Sequence, residues 1–307
     1  MTRSHPSAST AGARVDEAEQ ARRIVALLAG ASLELSSHDP AEIDACSDSL
    51  EPGAAIYISM PPAQTYPGMV ALAARLKRAG FRPVPHFVAR RFADRAALED
   101  VIVRAVGEAA VDSALVVAGD LAQASGPFES SLALLETGLF QRHGIVNIGV
   151  AGYPEGHPVI ADAALDAALA AKAALAQGAG LNLQVLTQFC FEAQPVLDWA
   201  ARHKTLGLPL RIGLAGPASL TRLLRFAARC GVGNSVRALR ARPAAISRLL
   251  TEAGPETLVR ALANQSAPPV AGVHFFCFGG LLRAARWLRA VREGRFELDA
   301  EGGFRVG

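Results

Sequence analysis

The chain has 307 residues, of which 51% are hydrophobic and 19% charged, and its formal net charge is +3. This composition is too apolar for a disordered protein, and so small a net charge is not typical of a nucleic-acid-binding surface. The four cysteines form no CxxC pair, which argues against a zinc site or a disulfide framework and favours reduced thiols in a cytoplasmic protein.

The N-terminal part of the chain precedes a regular series of short apolar runs. Residues 1–13 lack the apolar stretch of a secretory signal, so we expect a disordered tail, and residues 15–29 predict an amphipathic helix. No uninterrupted run of 18 apolar residues occurs, so we expect no membrane span. The runs typical of strands are Ala31–Ser37, Ala54–Met60, Pro83–Ala89, Ser113–Gly119, Ile145–Ala151, Asn182–Phe189, Leu210–Ala215 and Val270–Phe278.

Helical patterns separate these strands. They are Tyr66–Ala79, Arg95–Glu108, Ala161–Gln177, Pro195–His203, Leu220–Arg229, two or three short helices between Val236 and Ala263, and Leu281–Val291. Buried strands that alternate with helices indicate a parallel sheet, and eight such units favour a closed (β/α)8 TIM barrel. An open doubly wound sheet is the alternative, but it normally has a glycine-rich turn after an early strand, and residues 36–40 contain no glycine.

We therefore expect one α/β domain, a TIM barrel with an extra N-terminal helix over residues 14–292. Residues 293–307 are polar and predict a loosely attached C-terminal tail.

Polar residues near the ends of the predicted strands are the candidates for chemistry, because barrel active sites lie at the carboxyl ends of the strands. Alternation places Glu34 on the face opposite Leu33 and Leu35, where a partly desolvated carboxyl suits acid catalysis. A glutamate with an ion-pair partner at the bottom or surface of the barrel is the alternative. His86 on strand three, taken alone, is better explained as a core histidine than as a ligand-binding residue. Asp120 after strand four suits either a cofactor contact or an Asx turn.

The segment after strand five is the most distinctive in the chain, because its sequence over residues 149–158 is GVAGYPEGHP. Tyr153 and His157 supply an aromatic face and a titratable group there, although a structural turn is the alternative. On strand six, the amide of Gln188 can both donate and accept a hydrogen bond to a heterocycle. No HExxH motif or clustered metal-ligand spacing and no GxSxG elbow occurs. These residues predict a heteroaromatic ligand site without a metal.

The GVAGYPEGHP run resembles the fifth-strand motif of methylenetetrahydrofolate reductases, and Leu33-Glu34-Leu35 resembles their first-strand segment with the catalytic glutamate. Four further segments match strands three, four, six and eight of that family in order: Pro85-His86, Gly119-Asp120, Leu186-Thr187-Gln188-Phe189-Cys190-Phe191 and His274-Phe275-Phe276. The resemblance covers roughly residues 30–290. It implies an FAD-dependent TIM-barrel enzyme in which a nicotinamide donor reduces the flavin and methylenetetrahydrofolate then takes the hydride.

The resemblance also implies roles for the matching residues. Glu34 would protonate the folate, and Asp120 would lie near both the flavin and the pterin. Gln188 would bind the pterin edge, and Phe189 would lie in the pocket that nicotinamide and folate share. The implied FAD contacts are His86, Gly119, Asp120, Tyr153 and His157, with Asp166 near a ribose and Lys172 near the diphosphate.

The chain departs from the family pattern mainly at the periphery. Ala118 stands where an arginine commonly precedes the Gly-Asp step, and Ser59-Met60-Pro61-Pro62 replaces a glycine-containing strand end. Phe278-Gly279-Gly280 replaces Leu-Asn-Arg, with Arg283 one turn later as a substitute for the arginine. The flavin and pterin centre is retained better than its surroundings, which indicates a divergent member.

Several alternatives stay open at this point. One is a folate- or flavin-binding paralogue without reductase turnover. Another is an unrelated TIM barrel, such as a pterin methyltransferase or an aldolase. A Schiff-base aldolase is disfavoured because none of the three lysines, Lys77, Lys172 and Lys204, stands at a predicted strand end. We expect no nucleic-acid or membrane partner, while NADH, NADPH and a homo-oligomer all remain open.

Overall fold

The computed structural model describes residues 9–35, 40–190, 192–219, 254–265 and 270–307. Eight parallel strands close into a barrel in chain order, with β8 paired to β1. The strands are β1 (Ser32–Leu35), β2 (Ala55–Ile58), β3 (Arg82–Val88), β4 (Ser113–Val117), β5 (Asn147–Gly152), β6 (Asn182–Cys190), β7 (Leu210–Ala215) and β8 (Gly272–Phe276). The predicted TIM barrel is confirmed, with an observed strand within or overlapping each predicted run.

Helices cover the outside of this barrel. Those described are α1 (Ser9–Leu28), α2 (Pro40–Ala45), α3 (Tyr66–Arg78), α4 (Arg95–Ala109), α5 (Ser131–Glu136), α6 (Leu139–Arg142), α7 (Asp162–Ala179), α8 (Ala193–His203), α9 (Glu256–Ala263) and α10 (Leu281–Arg292). The predicted helix Leu220–Arg229 and most of the Val236–Ala263 segment lie outside the described residues. Within the described ranges, no helix is long and apolar enough to cross a membrane.

Side-chain capping sets several of the helix starts that the sequence predicts. The Thr65 hydroxyl accepts from the Gly68 N–H at the start of α3, and the Asp94 carboxylate accepts from the Ala97 N–H at the start of α4. Helices α2, α5 and α6 are absent from the predicted set. They have six residues or fewer, too few for a helical period to emerge from the sequence.

Strand alternation divides the apolar residues into two cores. Outward-facing residues such as Leu33, Leu35 and Ile56 join the large core between the strands and the helices. A smaller separate cluster fills the inside of the barrel: Tyr57, Val84, Leu115 and Leu186. The inner cluster is small because polar side chains occupy much of the remaining interior, and they form the candidate site.

Both ends of the chain differ from expectation. Helix α1 already begins at Ser9, inside the predicted tail, and its buried Ile24 and Leu28 join the outer core. Residues 293–307 are not loosely attached: β9 (Phe296–Leu298) and β10 (Phe304–Val306) form an antiparallel hairpin. Phe304 is buried, with its ring centroid 5.9 Å from that of Trp287, so one aromatic side chain anchors the segment.

Candidate active site

The candidate site is centred on Glu34, inside the barrel. The residue is only 7% exposed and faces away from Leu33 and Leu35, as strand alternation predicts. Its Oε2 atom lies 3.6 Å from Nε2 of His86 and 3.8 Å from Nε2 of His274. Both separations are too long for a hydrogen bond. Strands β1, β3 and β8 thus bring one carboxyl and two imidazoles together without direct bonds between them.

Burial determines the charge state of this cluster. It raises the pKa of Glu34, and the opposing influence of His86 is smaller. Burial lowers the pKa of His86 to about 4, with Glu34 opposing the shift and His274 adding to it. Burial also lowers the pKa of His274 to about 3, and the positive charge of Arg211 adds to that shift. The arrangement therefore favours a protonated carboxyl beside two neutral imidazoles.

Each of the two histidines has a buried ring nitrogen without a partner, and a hydrogen bond holds one of the two rings. Ser32, the register neighbour of His274, places its Oγ atom 3.0 Å from His274 Nδ1. The Nε2 atoms of His86 and His274 are buried and have no hydrogen-bond partner. A buried polar atom without a partner is costly, at about 1–3 kcal/mol, so these atoms mark a place where a ligand or water would be bound.

A β-bulge in β6 shapes the next part of the site. Leu186 pairs with Arg211, but Phe189 pairs with Gly213, so β6 contains one extra residue. The Thr187 hydroxyl repairs the interrupted ladder by accepting from the Gly213 N–H at 2.9 Å and donating to the Gln188 carbonyl at 2.8 Å. A Cβ atom on Gly213 would lie 2.4 Å from the Thr187 carbonyl oxygen, so only glycine fits there.

The extra residue in the bulge changes which of the last side chains of β6 points into the barrel. Phe189 is buried, and its ring centroid lies 5.8 Å from that of Phe276 and 5.0 Å from that of Phe278. Phe276 in turn lies 4.9 Å from the ring of His274. The Nε2 atom of Gln188 is buried without a hydrogen-bond partner. An aromatic wall therefore extends from His274 to the bulge, which also carries an unsatisfied amide donor.

The rim beside β4 carries Gly119 and Asp120. Gly119 has φ +97°, and a Cβ atom there would meet Val88 at 2.3 Å, so the turn requires glycine. Asp120 is exposed, and its side chain makes no hydrogen bond within the described ranges, so the alternative Asx turn is not formed. Arg90 braces this loop by donating to the carbonyl oxygens of Leu121 at 2.8 Å and Glu129 at 3.1 Å.

The loop after β5 fixes the Tyr153 and His157 side chains against each other. Their ring centroids lie 5.3 Å apart in an edge-to-face arrangement. The N–H groups of Val159 and Ile160 both donate to His157 Nδ1, at 3.3 and 3.2 Å. Burial lowers the pKa of His157, in keeping with a neutral ring whose Nδ1 is an acceptor.

Helix α7 carries the two remaining candidates, and they differ. Asp166 is exposed and lies 2.9 Å from His203 Nε2, while His203 Nδ1 donates to the Trp199 carbonyl at 2.9 Å. Asp166 is therefore engaged in a contact between α7 and α8. Lys172 is half-buried, burial lowers its pKa, and it has no ion-pair partner within the part of the chain described.

The structure reveals site residues that the sequence patterns do not single out. Tyr57 lies in register with Glu34 and contacts both histidine rings, with centroid separations of 4.6 Å to His274 and 6.1 Å to His86. Alternation in Ala-Ile-Tyr-Ile puts Tyr57 opposite its isoleucine neighbours, a signal that could have identified it.

Among the described residues, no group of three or more His, Cys, Asp or Glu side chains could hold a metal ion.

Comparison with solved structures gives distant likenesses. No family model matches the chain. A dihydropteroate synthase from Thermus thermophilus aligns over 86% of this chain and 92% of its own at 16% identity, with a TM-score of 0.43. A conserved protein of unknown function from Enterococcus faecalis aligns over 86% of this chain and 65% of its own at 10% identity, with a TM-score of 0.47. Likenesses at this level do not identify a function.

Proposed function

We propose that this chain is a flavin-dependent oxidoreductase that interconverts 5,10-methylenetetrahydrofolate and 5-methyltetrahydrofolate by hydride transfer. The observation that carries the proposal is the buried Glu34 carboxyl, whose pKa burial raises, between two imidazoles with unsatisfied Nε2 atoms. The segments around Glu34, His86 and His274 are among those through which the sequence resembles methylenetetrahydrofolate reductases.

Glu34 has the properties that an acid for this reaction needs. Opening the methylene bridge of the folate requires a proton on a ring nitrogen, and a carboxyl delivers one near neutral pH only if its pKa is raised. Desolvation raises the pKa of Glu34, and neutral His86 and His274 leave no fixed positive charge directly beside it. In this proposal Glu34 donates that proton and takes it back in the reverse direction.

The described residues fit a flat heteroaromatic ring at the barrel mouth. The Nε2 atoms of His86, His274 and Gln188 are buried hydrogen-bonding atoms without partners, which suits the polar edge of a pterin or a flavin. Phe189 and Phe276 supply an apolar wall that excludes water from such a ring. FAD, when bound, would supply the hydride-transfer chemistry. Residues that would hold it are His86, Gly119, Tyr153 and His157.

The outer part of the cofactor fits less completely. Lys172 is a half-buried cation with no ion-pair partner in the described ranges, so it remains available to a diphosphate. Asp166 already contacts His203, so we do not include it in the proposed ribose site. Asp120 is exposed and uncommitted, as a residue that meets a ligand at the rim would be. The proposal leaves NADH and NADPH equally open as donors.

A binding protein without turnover is the second candidate. The engagement of Asp166 with His203 favours it, because a weakened cofactor periphery would lower FAD affinity while leaving the folate pocket in place. A Schiff-base aldolase gains no support, since none of the described strands contains a lysine.

The test is anaerobic stopped-flow spectroscopy on the purified protein saturated with FAD. Flavin absorbance is followed after mixing, in parallel, with NADH, NADPH and 5-methyltetrahydrofolate. We expect bleaching by 5-methyltetrahydrofolate and by at least one nicotinamide donor. Folate binding without bleaching would establish the second candidate, and failure to bind FAD would refute the oxidoreductase.

A further inference from the structure

Tyr57 crosses the inside of the barrel from β2. Its ring clusters with the inner side chains of β3, β4 and β6, namely Val84, Leu115 and Leu186. Its hydroxyl lies 3.4 Å from Nε2 of Gln184, on the far side of the barrel. The residue is only 2% exposed. One side chain therefore spans the barrel axis immediately beside the Glu34 cluster.

The same ring supports both imidazoles of the cluster. It meets His274 at an interplanar angle of 63° and His86 at 77°, both edge-to-face arrangements. Ser32 contacts His274 only at Nδ1, and His86 makes no side-chain hydrogen bond in the described ranges. Both imidazole rings therefore contact Tyr57. For His86, which has no side-chain hydrogen bond in those ranges, this ring contact is the one that orients it.

Tyr57 also faces two arginines at the amino-terminal end of the barrel. Arg211 donates to the carbonyl oxygens of Gly30, at 2.7 Å, and Val273, at 3.0 Å, both on the amino-terminal side of the site. Arg82 begins β3 at the same end. The positive charges of both arginines act on the Tyr57 hydroxyl. Arg82 and Arg211 thus approach Tyr57 from β3 and β7, and Arg211 also acts on His274.

We propose that Tyr57 is the positioning residue of this site: its ring is the floor that orients His86 and His274 around Glu34 and keeps water from the amino-terminal end out of the cluster. The inference rests on the proposed function and extends it, since it assigns the residue that excludes water from the proposed acid, Glu34. It also sets the depth of the pocket, because a ligand ring entering from the mouth can go no deeper than the Tyr57 ring. Any heteroaromatic substrate would therefore bind above it.

The experiment compares Tyr57→Phe, which keeps the ring, with Tyr57→Leu and Tyr57→Ala, which remove it. Leu186→Ala, in the same inner cluster, is the matched cavity control. Imidazole resonances of His86 and His274 are assigned by single substitutions and titrated by NMR without any folate or flavin. If water enters once the ring is gone, both histidines should titrate higher by about one pH unit or more. Tyr57→Phe and Leu186→Ala should titrate like the wild-type protein.

Equal titration curves in wild type and in the folded ring-deletion variants would overturn the proposal, as would a shift of the same size in Leu186→Ala. Tyr57→Leu retains most of the side-chain volume and serves if Tyr57→Ala does not fold. The readout needs no turnover, so its failure is distinct from failure of the proposed reaction. In an active enzyme, kcat in Tyr57→Leu should fall more than KM rises, and Tyr57→Phe should restore it.

Discussion

Polar side chains inside the barrel and polar side chains on the α7 side of the site differ in whether they have hydrogen-bond partners. Glu34 and His274 are buried and His86 is nearly so, yet the buried Nε2 atoms of both imidazoles lack hydrogen-bond partners. Asp166 is exposed and bonded to His203, and His157 receives two backbone donors. Unsatisfied polar atoms are most costly where water is excluded, so those inside indicate ligand binding, whereas the satisfied outer ones are explained by the fold.

The largest expected effect comes from the interior. Glu34→Gln removes the proposed proton donor, so the folate half-reaction should slow by roughly 10²–10⁴-fold, the usual contribution of general acid catalysis. Flavin reduction by a nicotinamide donor needs no such proton and should stay near the wild-type rate. Both half-reactions are measured by stopped flow, with Glu108→Gln, a carboxylate on the outside of α4, as control. Equal loss in both half-reactions would remove Glu34 from the acid role.

Acid stability gives the next largest effect. His86 has an ordinary pKa of 6.5 that burial lowers to about 4, so between these values the unfolded chain binds the extra proton. Stability should therefore fall as pH drops from 6.5 to 4, by on the order of 3 kcal/mol for this residue. His274 acts in the same direction, with its pKa lowered to about 3. Glu34 acts oppositely, since its raised pKa lowers stability above pH 4.5.

Urea unfolding at several pH values measures this dependence. His274→Asn should flatten the curve between pH 6.5 and 4, because one of the two titrating imidazoles is gone. An unchanged slope in that variant would mean that His274 is already protonated, or hydrated, in the folded protein.

Substitutions at the bulge in β6 should have a smaller effect, on the free energy of unfolding. Thr187→Val keeps the shape of the side chain but leaves the buried Gly213 N–H without its acceptor, at a cost of about 1–3 kcal/mol in the free energy of unfolding. Thr187→Ser retains the hydroxyl and should cost less. Chemical denaturation measures both variants, and equal stability of the two would show that the hydroxyl does not repair the strand ladder.

The smallest effect is expected on α7. Asp166→Ala removes an exposed pair with His203 and should lower stability by about 1 kcal/mol or less. FAD affinity, measured by flavin fluorescence titration, should not change, because that carboxylate is already engaged. A tenfold loss of FAD affinity in this variant would instead restore the ribose-binding role that the family resemblance implies.

Much of the fold could be predicted because it depends on local patterns. Alternation placed Glu34 on the face opposite Leu33 and Leu35, and eight apolar runs separated by helical periods predicted the closed barrel. The β6 bulge could not be predicted, because it depends on the Thr187 hydroxyl meeting Gly213 of a strand 26 positions later. The C-terminal hairpin was missed since it depends on Phe304 packing against Trp287 of the preceding helix, a tertiary contact.

The site was predicted in part for the same reason. Glu34 and His86 were singled out as polar residues within apolar strands, and the structure brings them within 3.6 Å of each other. Tyr57 acts through contacts with side chains on other strands, which no single segment displays. Asp166 has a neighbour, His203, on the next helix, and only the folded chain reveals that pairing.

Glu34 is proposed to be a buried acid whose pKa lies above the ordinary range, and direct titration of that carboxyl tests this. The protein is labelled with 13C at the glutamate side-chain carboxyls, and the Glu34 resonance is assigned as the one that Glu34→Gln removes. This resonance should titrate above the ordinary value of 4.5. Titration at or below 4.5 would contradict it, since Glu34 would then be an ionised partner of the histidines.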